Sequence, residues 1–264
     1  MVRSRILQLQ KGGNFRELGG YQTISGETIK WHKIIRSAKL ADLTDADLTF
    51  LSDYGLKYDI DFRSPEEKAT SPDRVPNHAK YLFIPVFSTD ETQNSKQTDR
   101  LQRKMDTDPT TGRQQMQRAY QDIITNPHSQ KAYRSFFDVL LENDDEKSTL
   151  LFHCTAGKDR TGMGAVFFLS ALGVNEDTIK ADYLLTNKVI QPQQAAMIKS
   201  LKLQGASSAF IQSMRDLQSV QISFYNTAMD QIQKTSGDMP TYLHDYLNLS
   251  KNDIQDLRHI YLEN

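Results

Sequence analysis

The sequence predicts an α/β fold in which helices flank a mostly parallel central sheet and the C-terminal half is helical. Strand-like apolar runs alternate with helical patterns up to Gly173, and helical periodicity dominates after this residue. A short apolar run at residues 149–153 is followed at once by a polar, glycine-containing segment and then by a buried helical pattern. Ligands of such sheets bind at the carboxyl ends of strands, so we expect the functional residues in this segment.

The first elements come from the N-terminal third of the chain. Residues 21–36 alternate in polarity around a Ser-Gly turn, which predicts a small hairpin at the edge of the fold. Thr44 precedes two aspartates and a helical pattern that Gly55 ends, so we predict a capped helix between them. The runs at 56–63 and 80–87 predict two strands.

A long polar segment, residues 88–118, follows the second of these strands. It is rich in Ser, Thr, Gln, Asp and Lys and has hardly any apolar residue to anchor it in a core. We therefore predict an insertion, either a solvated surface excursion or a functional lid. Because no Pro/Gly/Ser-rich linker divides the chain, residues 1–264 are expected to form a single domain that carries this insertion.

The second half begins with a strand at Thr149–His153, and residues 163–172 are apolar on nearly every face, as in a buried helix. Four further helices are predicted at about 176–187, 191–203, 207–234 and 250–262. In the third of them, apolar residues recur at multiples of three or four positions, which indicates a core stripe. The stripe consists of Phe210, Met214, Leu217, Phe224 and Ala228.

Composition excludes several classes of protein. The net charge of -1 removes the basic field that a nucleic-acid-binding protein needs. No stretch approaches the roughly 20 apolar residues of a membrane span, so stable membrane insertion is not expected. The N-terminal segment is too polar for a secretory signal, so the default location is cytoplasmic, with signal-independent secretion left open. The single cysteine, Cys154, excludes internal disulfides and multi-cysteine metal sites.

The segment HCTAGKDRTG, residues 153–162, has the properties of a phosphate-binding loop. Five residues separate Cys154 from Arg160, enough for the backbone to curl so that several amides face one anion. The planar fork of Arg160 can hold two phosphoryl oxygens, and the helix that begins there directs its positive end to the same place. The predicted phosphate-binding residues are Thr155, Ala156, Gly157, Lys158, Asp159 and Arg160.

The same segment contains a nucleophile. Cysteines at helix N-termini or beside cations ionise more readily than free cysteine, so we expect Cys154 to be a thiolate that attacks phosphorus. The hydroxyl of Thr161 lies close enough in sequence to stabilise this thiolate when it leaves, and His153 is expected to orient the loop by hydrogen bonds. No metal ion or other cofactor is required for this chemistry.

The segment resembles the HCxxGxxR[S/T] signature of the protein tyrosine phosphatases. With its Lys-Asp-Arg sequence, it is similar to a group of bacterial tyrosine phosphatases that includes mycobacterial and listerial tyrosine and lipid phosphatases. Segments NFRELGG, FRSPEE, ADYLLTN and LNLSKNDIQDLR also resemble that group. The resemblance implies that Cys154 attacks phosphorus, that Arg160 binds the phosphoryl oxygens, and that Lys158 is linked to dual specificity, with phosphoinositides as substrates beside phosphotyrosine.

The general acid is less clear from the sequence. Familiar tyrosine phosphatases carry it on a Trp-Pro-Asp loop, but the single tryptophan here, Trp31, is followed by His-Lys. Two aspartates are candidates: Asp159 inside the loop, and Asp61 near the carboxyl end of a predicted strand. Each has a structural alternative: Asp159 as a partner of Lys158 or a neighbouring arginine, and Asp61 as a partner of Arg63 or a brace below the loop. We favour Asp159 as the acid.

The expected activity is therefore the hydrolysis of phosphate monoesters through a phosphocysteine intermediate. Phosphotyrosine in proteins is the first candidate substrate, with phosphoserine, phosphothreonine and phosphoinositides as further candidates and phosphate ion as product or inhibitor. One alternative is a catalytically weak, phosphate-binding pseudophosphatase, against which the intact Cys154 and Arg160 count. The other is a sulfurtransferase, whose active loop also curls around a cysteine but does not need this pairing of histidine and arginine.

Overall fold

The computed structural model describes residues 4–89 and 99–264, and its secondary structure begins with short strands and ends with helices. The strands are β1 (Arg16–Glu17), β2 (Thr28–Ile29), β3 (Ile34–Ser37), β4 (Leu56–Asp61), β5 (Lys80–Phe83), β6 (Thr149–His153) and β7 (Leu262–Glu263). The helices up to the middle of the chain are α1 (Asp45–Asp53), α2 (Pro65–Thr70), α3 (Asp99–Thr107), α4 (Thr111–Thr125), α5 (Pro127–Glu142) and α6 (Arg160–Ala171). The remaining helices are α7 (Glu176–Leu203), α8 (Ser208–Gln218), α9 (Ile222–Ser236), α10 (Met239–Asp245) and α11 (Lys251–Tyr261).

The central sheet has the strand order β1-β3-β6-β4-β5. Strands β3, β6, β4 and β5 are mutually parallel, and β1 is antiparallel to β3. The predicted fold class, a mostly parallel sheet with a helical C-terminal half, is confirmed. Because β6 occupies the middle of the sheet, the chain that follows His153 emerges at the centre of the carboxyl edge.

Local capping signals were sufficient to place α1. The Thr44 side chain accepts a hydrogen bond from the amide of Asp47, whose carboxylate accepts one from the Thr44 amide. This reciprocal pair satisfies two of the amides that a helix start leaves without partners. The prediction of a capped helix between Thr44 and Gly55 is confirmed.

Two predictions of helix boundaries in this half are wrong. The helices predicted at 176–187 and 191–203 are a single helix, α7, which continues through Pro192. The helix predicted at 207–234 is interrupted between α8 and α9, because the Asn187 side chain binds both the amide and the carbonyl of Val220 and so replaces their helical partners. The predicted stripe nevertheless lies in or against the hydrophobic core.

The hairpin predicted over residues 21–36 is much shorter than expected. It consists of a tight turn closed by a bridge between Gln22 and Thr28, and β2 then pairs with β7 from the other end of the chain. Residues 34–37 instead form β3 of the central sheet. The strand predicted over 80–87 also ends early, at Phe83.

The polar segment at 88–118 contains more structure than its composition indicates. Residues 90–98 lie outside the described part of the chain, but α3 and most of α4 fall within the segment, and Met105 and Met116 are fully buried. Gly112 packs so closely on α8 that a Cβ atom would lie 2.2 Å from the carbonyl oxygen of Ser213. The segment does have few apolar residues, but Met105 and Met116 anchor it in the core, since a few well-spaced apolar residues suffice on one face of a helix. The interpretation of the segment as a lid stays a prediction.

One further observation concerns membranes. Within residues 4–89 and 99–264, no helix has both the length and the apolar character that a crossing of the bilayer demands.

Candidate active site

The predicted phosphate-binding loop connects the central strand β6 to α6, which begins at Arg160. Cys154 is fully buried at the start of the loop. Gly157 adopts φ +64, and a Cβ atom on it would lie 2.3 Å from the carbonyl oxygen of Ser37 at the end of β3. The loop therefore turns tightly against the edge of the sheet, at a point where no other residue fits.

Two side chains that the sequence analysis did not single out bind the outer side of this loop. The Asn14 amide nitrogen donates to the carbonyl oxygens of Gly157 and Ala156, at 2.7 and 3.2 Å. Arg36 Nη2 donates to the same Gly157 oxygen at 2.9 Å. Because the C=O and the following N–H of a trans peptide point in opposite directions, carbonyls that are bound on the outside leave amides to face the inside.

A buried cluster of charges supports these two residues. Asp182 on α7 pairs with Arg16 at 3.0 Å and with Arg36 at 2.8 Å, and Arg16 also donates to the Asn14 side chain. Burial favours a raised pKa for Asp182, but the two guanidinium groups outweigh it and lower this pKa to about 2. Burial and then the charge of Arg16 lower the pKa of Arg36 to about 10. The cluster carries two positive charges and one negative charge, an excess of positive charge beside the loop.

Arg160 is held by Glu67, another residue that the sequence analysis did not assign. Its Nη1 atom lies 2.5 Å from Glu67 Oε2, and its Nη2 atom lies 2.8 Å from Glu67 Oε1, which also accepts a hydrogen bond from the Thr155 hydroxyl. Glu67 is fixed by a capping box with Ser64 at the start of α2. Burial acts to raise the pKa of Glu67, but the hydrogen bonds and the charge of Arg160 lower it to about 2. The guanidinium group of Arg160 is thus held in a single orientation at the N-terminus of α6.

His153 lies in a buried ionic network under the loop. Its Nε2 atom is 3.3 Å from both Asp59 and Asp73 and 3.9 Å from Asp61, and its Nδ1 atom is 3.3 Å from the Cys154 carbonyl oxygen. Burial alone would lower the pKa of His153, but these carboxylates raise it well above its usual value. The structure therefore places a charged imidazolium against the backbone of Cys154.

Asp61, one of the two predicted acids, belongs to this network. Both of its oxygens are bound by Arg63, at 2.9 and 2.8 Å, and the Tyr81 hydroxyl donates to it at 2.7 Å. Although burial raises the pKa of Asp61, the charges of His153 and Arg63 outweigh it and hold this pKa well below the usual range. The carboxylate is thereby occupied as the structural partner of Arg63.

The described residues contain one set of ligand atoms close enough to hold a metal ion. It consists of Asp59, Asp73 and His153, whose atoms lie within 4.8 Å of one another. Arg63 already pairs with Asp73, and the raised pKa of His153 keeps its nitrogen protonated. These two cations supply the positive charge that the carboxylates need, so the set is better described as a closed ionic network.

Asp159, the other predicted acid, lies inside the predicted phosphate-binding loop. Its two oxygens receive the Lys158 ammonium at 2.6 Å and the Tyr120 hydroxyl at 2.9 Å. The Tyr120 hydroxyl is in turn 2.8 Å from that of Tyr183. All four side chains are buried. Helix α4, which starts within the polar segment, thus supplies a group that orients Asp159.

Thr161 completes the set of predicted residues. It lies in the first turn of α6, is fully buried, and its hydroxyl makes no hydrogen bond within the described residues. A buried hydroxyl without a partner is costly unless a ligand or a charged group uses it. The structure thus brings together Cys154, Lys158, Asp159 and Arg160 around one loop and leaves Asp61 in the network beneath it.

A buried thiol at the start of a curled loop, with an arginine fork at its end, defines a cysteine-dependent phosphatase. A comparison of the sequence with known families supports the same class. The chain belongs to the Tyrosine phosphatase family, whose profile it matches over residues 7–263. This family is a class of cysteine-dependent hydrolases.

Individual relatives extend the comparison. The chain is 33% identical over 251 residues to a Cupriavidus necator protein provisionally named a tyrosine-protein phosphatase, with 94% of this chain and 85% of the relative covered. It is 32% identical over 161 residues to a tyrosine-protein phosphatase of Nostoc commune, covering 60% of this chain and 50% of that protein. It is 24% identical over 283 residues to the triple specificity protein phosphatase PtpB of Mycobacterium tuberculosis, covering 97% and 99%.

Proposed function

We propose that this protein hydrolyses phosphate monoesters, with phosphotyrosine in proteins as its principal substrate, in two steps through a phosphocysteine. The observation that carries the proposal is the outward binding of the Ala156 and Gly157 carbonyls by Asn14 and Arg36. It leaves the inner side of the loop for amide donors around the Cys154 sulfur. Such preorganised donors, aimed at phosphoryl oxygens, are the main source of catalysis in phosphoryl transfer.

In the first step, the Cys154 sulfur forms a bond to phosphorus while the bond from phosphorus to the ester oxygen breaks. The proton for the leaving phenolate oxygen comes from Asp159. Arg160, oriented by Glu67, binds two of the phosphoryl oxygens throughout this step. In the second step, Asp159 removes a proton from water, the water oxygen attacks phosphorus, and the sulfur leaves as a thiolate. The unpaired hydroxyl of Thr161 donates a hydrogen bond to that thiolate.

The choice of Asp159 over Asp61 follows from their surroundings. Asp61 is tied to Arg63 and Tyr81, and its lowered pKa opposes the uptake of a proton. Asp159 is also held by a cation and a tyrosine, Lys158 and Tyr120, but both of its partners and Asp159 itself lie around the loop that carries Cys154. Removal of a general acid matters most for basic leaving groups. Asp159→Asn should therefore slow phenyl phosphate by about 10²- to 10⁴-fold and barely affect nitrophenyl phosphate.

A matched variant makes this assignment falsifiable. Asp61→Asn should slow both aryl phosphates to the same extent, because it acts through the stability of the network under the loop. Leaving-group dependence in Asp61→Asn, together with equal slowing of both substrates in Asp159→Asn, would reverse the assignment.

Two observations bear on the range of substrates: the name of one relative and the composition of the loop. PtpB of Mycobacterium tuberculosis is named a triple specificity phosphatase, and the loop of this chain contains a lysine, Lys158, that is paired with Asp159. We propose that phosphoserine, phosphothreonine and phosphoinositides are secondary substrates. A panel of phosphotyrosine peptides, phosphoserine peptides and phosphoinositide head groups, compared by kcat/KM, tests this order of preference.

The central test is the trapping of a phosphocysteine. Acid quenching during turnover of nitrophenyl phosphate, followed by mass spectrometry, should show phosphate on the peptide that contains Cys154 and none in Cys154→Ser. A pseudophosphatase would bind phosphate without releasing nitrophenol. A sulfurtransferase would consume thiosulfate and leave the aryl phosphate intact, and either result would refute the proposal.

A further inference from the structure

A groove leads away from the loop along the second half of α7. It begins in a cavity of about 330 Å³ that is lined by Ala156 of the loop and by Gln194 and Met197 of α7. The same two residues of α7 line a larger cavity, of about 930 Å³, that lies between α7 and α8 and reaches Leu203. Because the two cavities share these residues, they form one path from the phosphate-binding loop to the end of α7. We call this path the α7 groove.

The chemistry of the α7 groove suits a polypeptide chain. Met197 and Leu203 offer apolar surface, and the Leu203 side chain is 81% exposed. Glutamine side chains such as Gln191, Gln194 and Gln212 also line the groove. Gln194 donates one hydrogen bond to the Gln218 carbonyl and Gln212 one to Asp216, so each keeps a second N–H and its side-chain oxygen. An amide side chain both donates and accepts hydrogen bonds, which matches the alternating N–H and C=O groups of an extended peptide. A lipid acyl chain has no group that could use these amides.

The exposed charge of the α7 groove is entirely positive. Lys199, Lys202 and Arg215 line it and are exposed. The one acidic residue among its lining, Asp216, is buried and accepts hydrogen bonds from Gln212 and Gln221. The chain as a whole has a net charge of -1, so this positive surface is a local feature. It is complementary to an acidic occupant.

The length of the groove predicts where the acidic residues lie. Ile190, which borders the loop cavity, is 13 positions from Leu203, and a rise of about 1.5 Å per residue gives a groove of about 20 Å. An extended peptide covers about 3.3 Å per residue, so about six residues fill it. On the same scale Lys199 and Lys202 lie about 14 and 18 Å from Ile190, opposite the fourth to sixth residue of the peptide.

Resting on the proposed phosphotyrosine phosphatase function, we propose that the α7 groove binds the polypeptide on one side of the phosphotyrosine. The bound segment is extended, its backbone contacts the glutamine amides, and acidic residues about four to six positions from the phosphotyrosine contact Lys199 and Lys202. The groove thereby selects acidic phosphotyrosine sequences among the substrates of the loop.

The test compares phosphotyrosine peptides that carry either Glu or Gln at positions four to six, on the N-terminal or the C-terminal side. On one of the two sides, the Glu peptide should have a kcat/KM about 3- to 10-fold higher than the Gln peptide, because its KM is lower. Addition of about 0.5 M NaCl should remove this difference, because salt screens the charges. The double variant Lys199→Glu/Lys202→Glu should reverse the preference. Lys234→Glu/Lys251→Glu, at exposed positions on α9 and α11, is the control for the same change of net charge.

Nitrophenyl phosphate separates this proposal from the proposed function, because it occupies the loop without reaching the groove. Its turnover should be the same in the wild type and the double variant. Absence of that turnover in the wild type would refute the phosphatase function itself. Normal turnover with equal kcat/KM for Glu and Gln peptides on both sides would overturn the groove proposal alone. A double variant that loses activity on phosphoinositide vesicles and keeps its peptide preference would also overturn it.

Discussion

The pair formed by Glu67 and Arg160 allows a quantitative prediction. The pKa of Glu67 falls from an ordinary value of 4.5 to about 2 in the fold, and the Glu67 side chain is almost fully buried. At about 1.4 kcal/mol for each pKa unit, this lowering corresponds to about 3 kcal/mol of folding free energy at neutral pH. Glu67→Gln keeps the shape and the capping oxygen but removes the charge that faces Arg160. We expect it to lower the free energy of unfolding at pH 7 by about 3 kcal/mol.

The pH dependence follows from the direction of the pKa change. A carboxyl group whose pKa is lower in the fold contributes its full stability above its unfolded pKa of 4.5 and loses it as the pH falls towards 2. The wild type should therefore lose its advantage over Glu67→Gln between about pH 5 and pH 2. Urea unfolding at pH 7 and at pH 4 measures the difference.

Activity provides the second measurement for this variant. In Glu67→Gln, the Arg160 fork loses its ionic partner and faces an amide NH2 in place of one accepting oxygen, so kcat for nitrophenyl phosphate should fall by about 10- to 1,000-fold. Glu66→Gln is the matched control, because Glu66 is the exposed neighbour in the same helical turn. An ordinary surface substitution changes the free energy of unfolding by about 0.5 kcal/mol. A change no larger than this in Glu67→Gln, together with an unchanged kcat, would contradict the role of Glu67.

Three further variants test the loop. Cys154→Ser should bind inorganic phosphate with an affinity close to that of the wild type and show no turnover, because a serine hydroxyl is not ionised as a thiolate is; measurable kcat would contradict the nucleophile. Asn14→Asp retains the contact with Arg16 but directs a carboxylate at two carbonyls of the loop. The inhibition constant for phosphate should therefore rise about tenfold or more. An unchanged constant would show that Asn14 does not shape the loop. Tyr120→Phe should slow phenyl phosphate more than nitrophenyl phosphate, as measured by kcat, whereas equal slowing would indicate a role in folding only.

Many of the secondary-structure elements around the site were predictable, because their sequence signals are local. The strand at Thr149–His153, the loop that follows it and the capped helix after Thr44 each depend on neighbouring residues, so a short window of sequence specifies them. The helices in the polar segment at 88–118 were not predicted, for the opposite reason. Its average composition is that of a loop, and the two methionines that anchor it are visible only when helical spacing is considered.

The side chains that shape the loop could not be deduced from spacing. Asn14 contacts Gly157 across 143 positions, and Glu67 contacts Arg160 across 93. Each is an ordinary polar residue in its own window, and nothing local indicates burial. The available signal was resemblance, because Asn14, Glu67 and Asp182 lie in the segments NFRELGG, FRSPEE and ADYLLTN. Arg36 had no such signal, since it belongs to a strand predicted only as part of a hairpin.

The charges around the loop explain why these distant segments belong to one site. Arg160 is balanced by Glu67 and Lys158 by Asp159, but the buried Arg16 and Arg36 share one carboxylate, Asp182. An uncompensated buried charge destabilises a fold, and an anion bound nearby offsets that cost. The cluster therefore links the two properties that a phosphatase loop needs, because the arrangement that turns the amides inward is also the one that favours a negative ligand. Residues from β1, β3 and α7 thus place an excess of positive charge beside a loop of six residues, so an anion that binds this loop would also stabilise the fold.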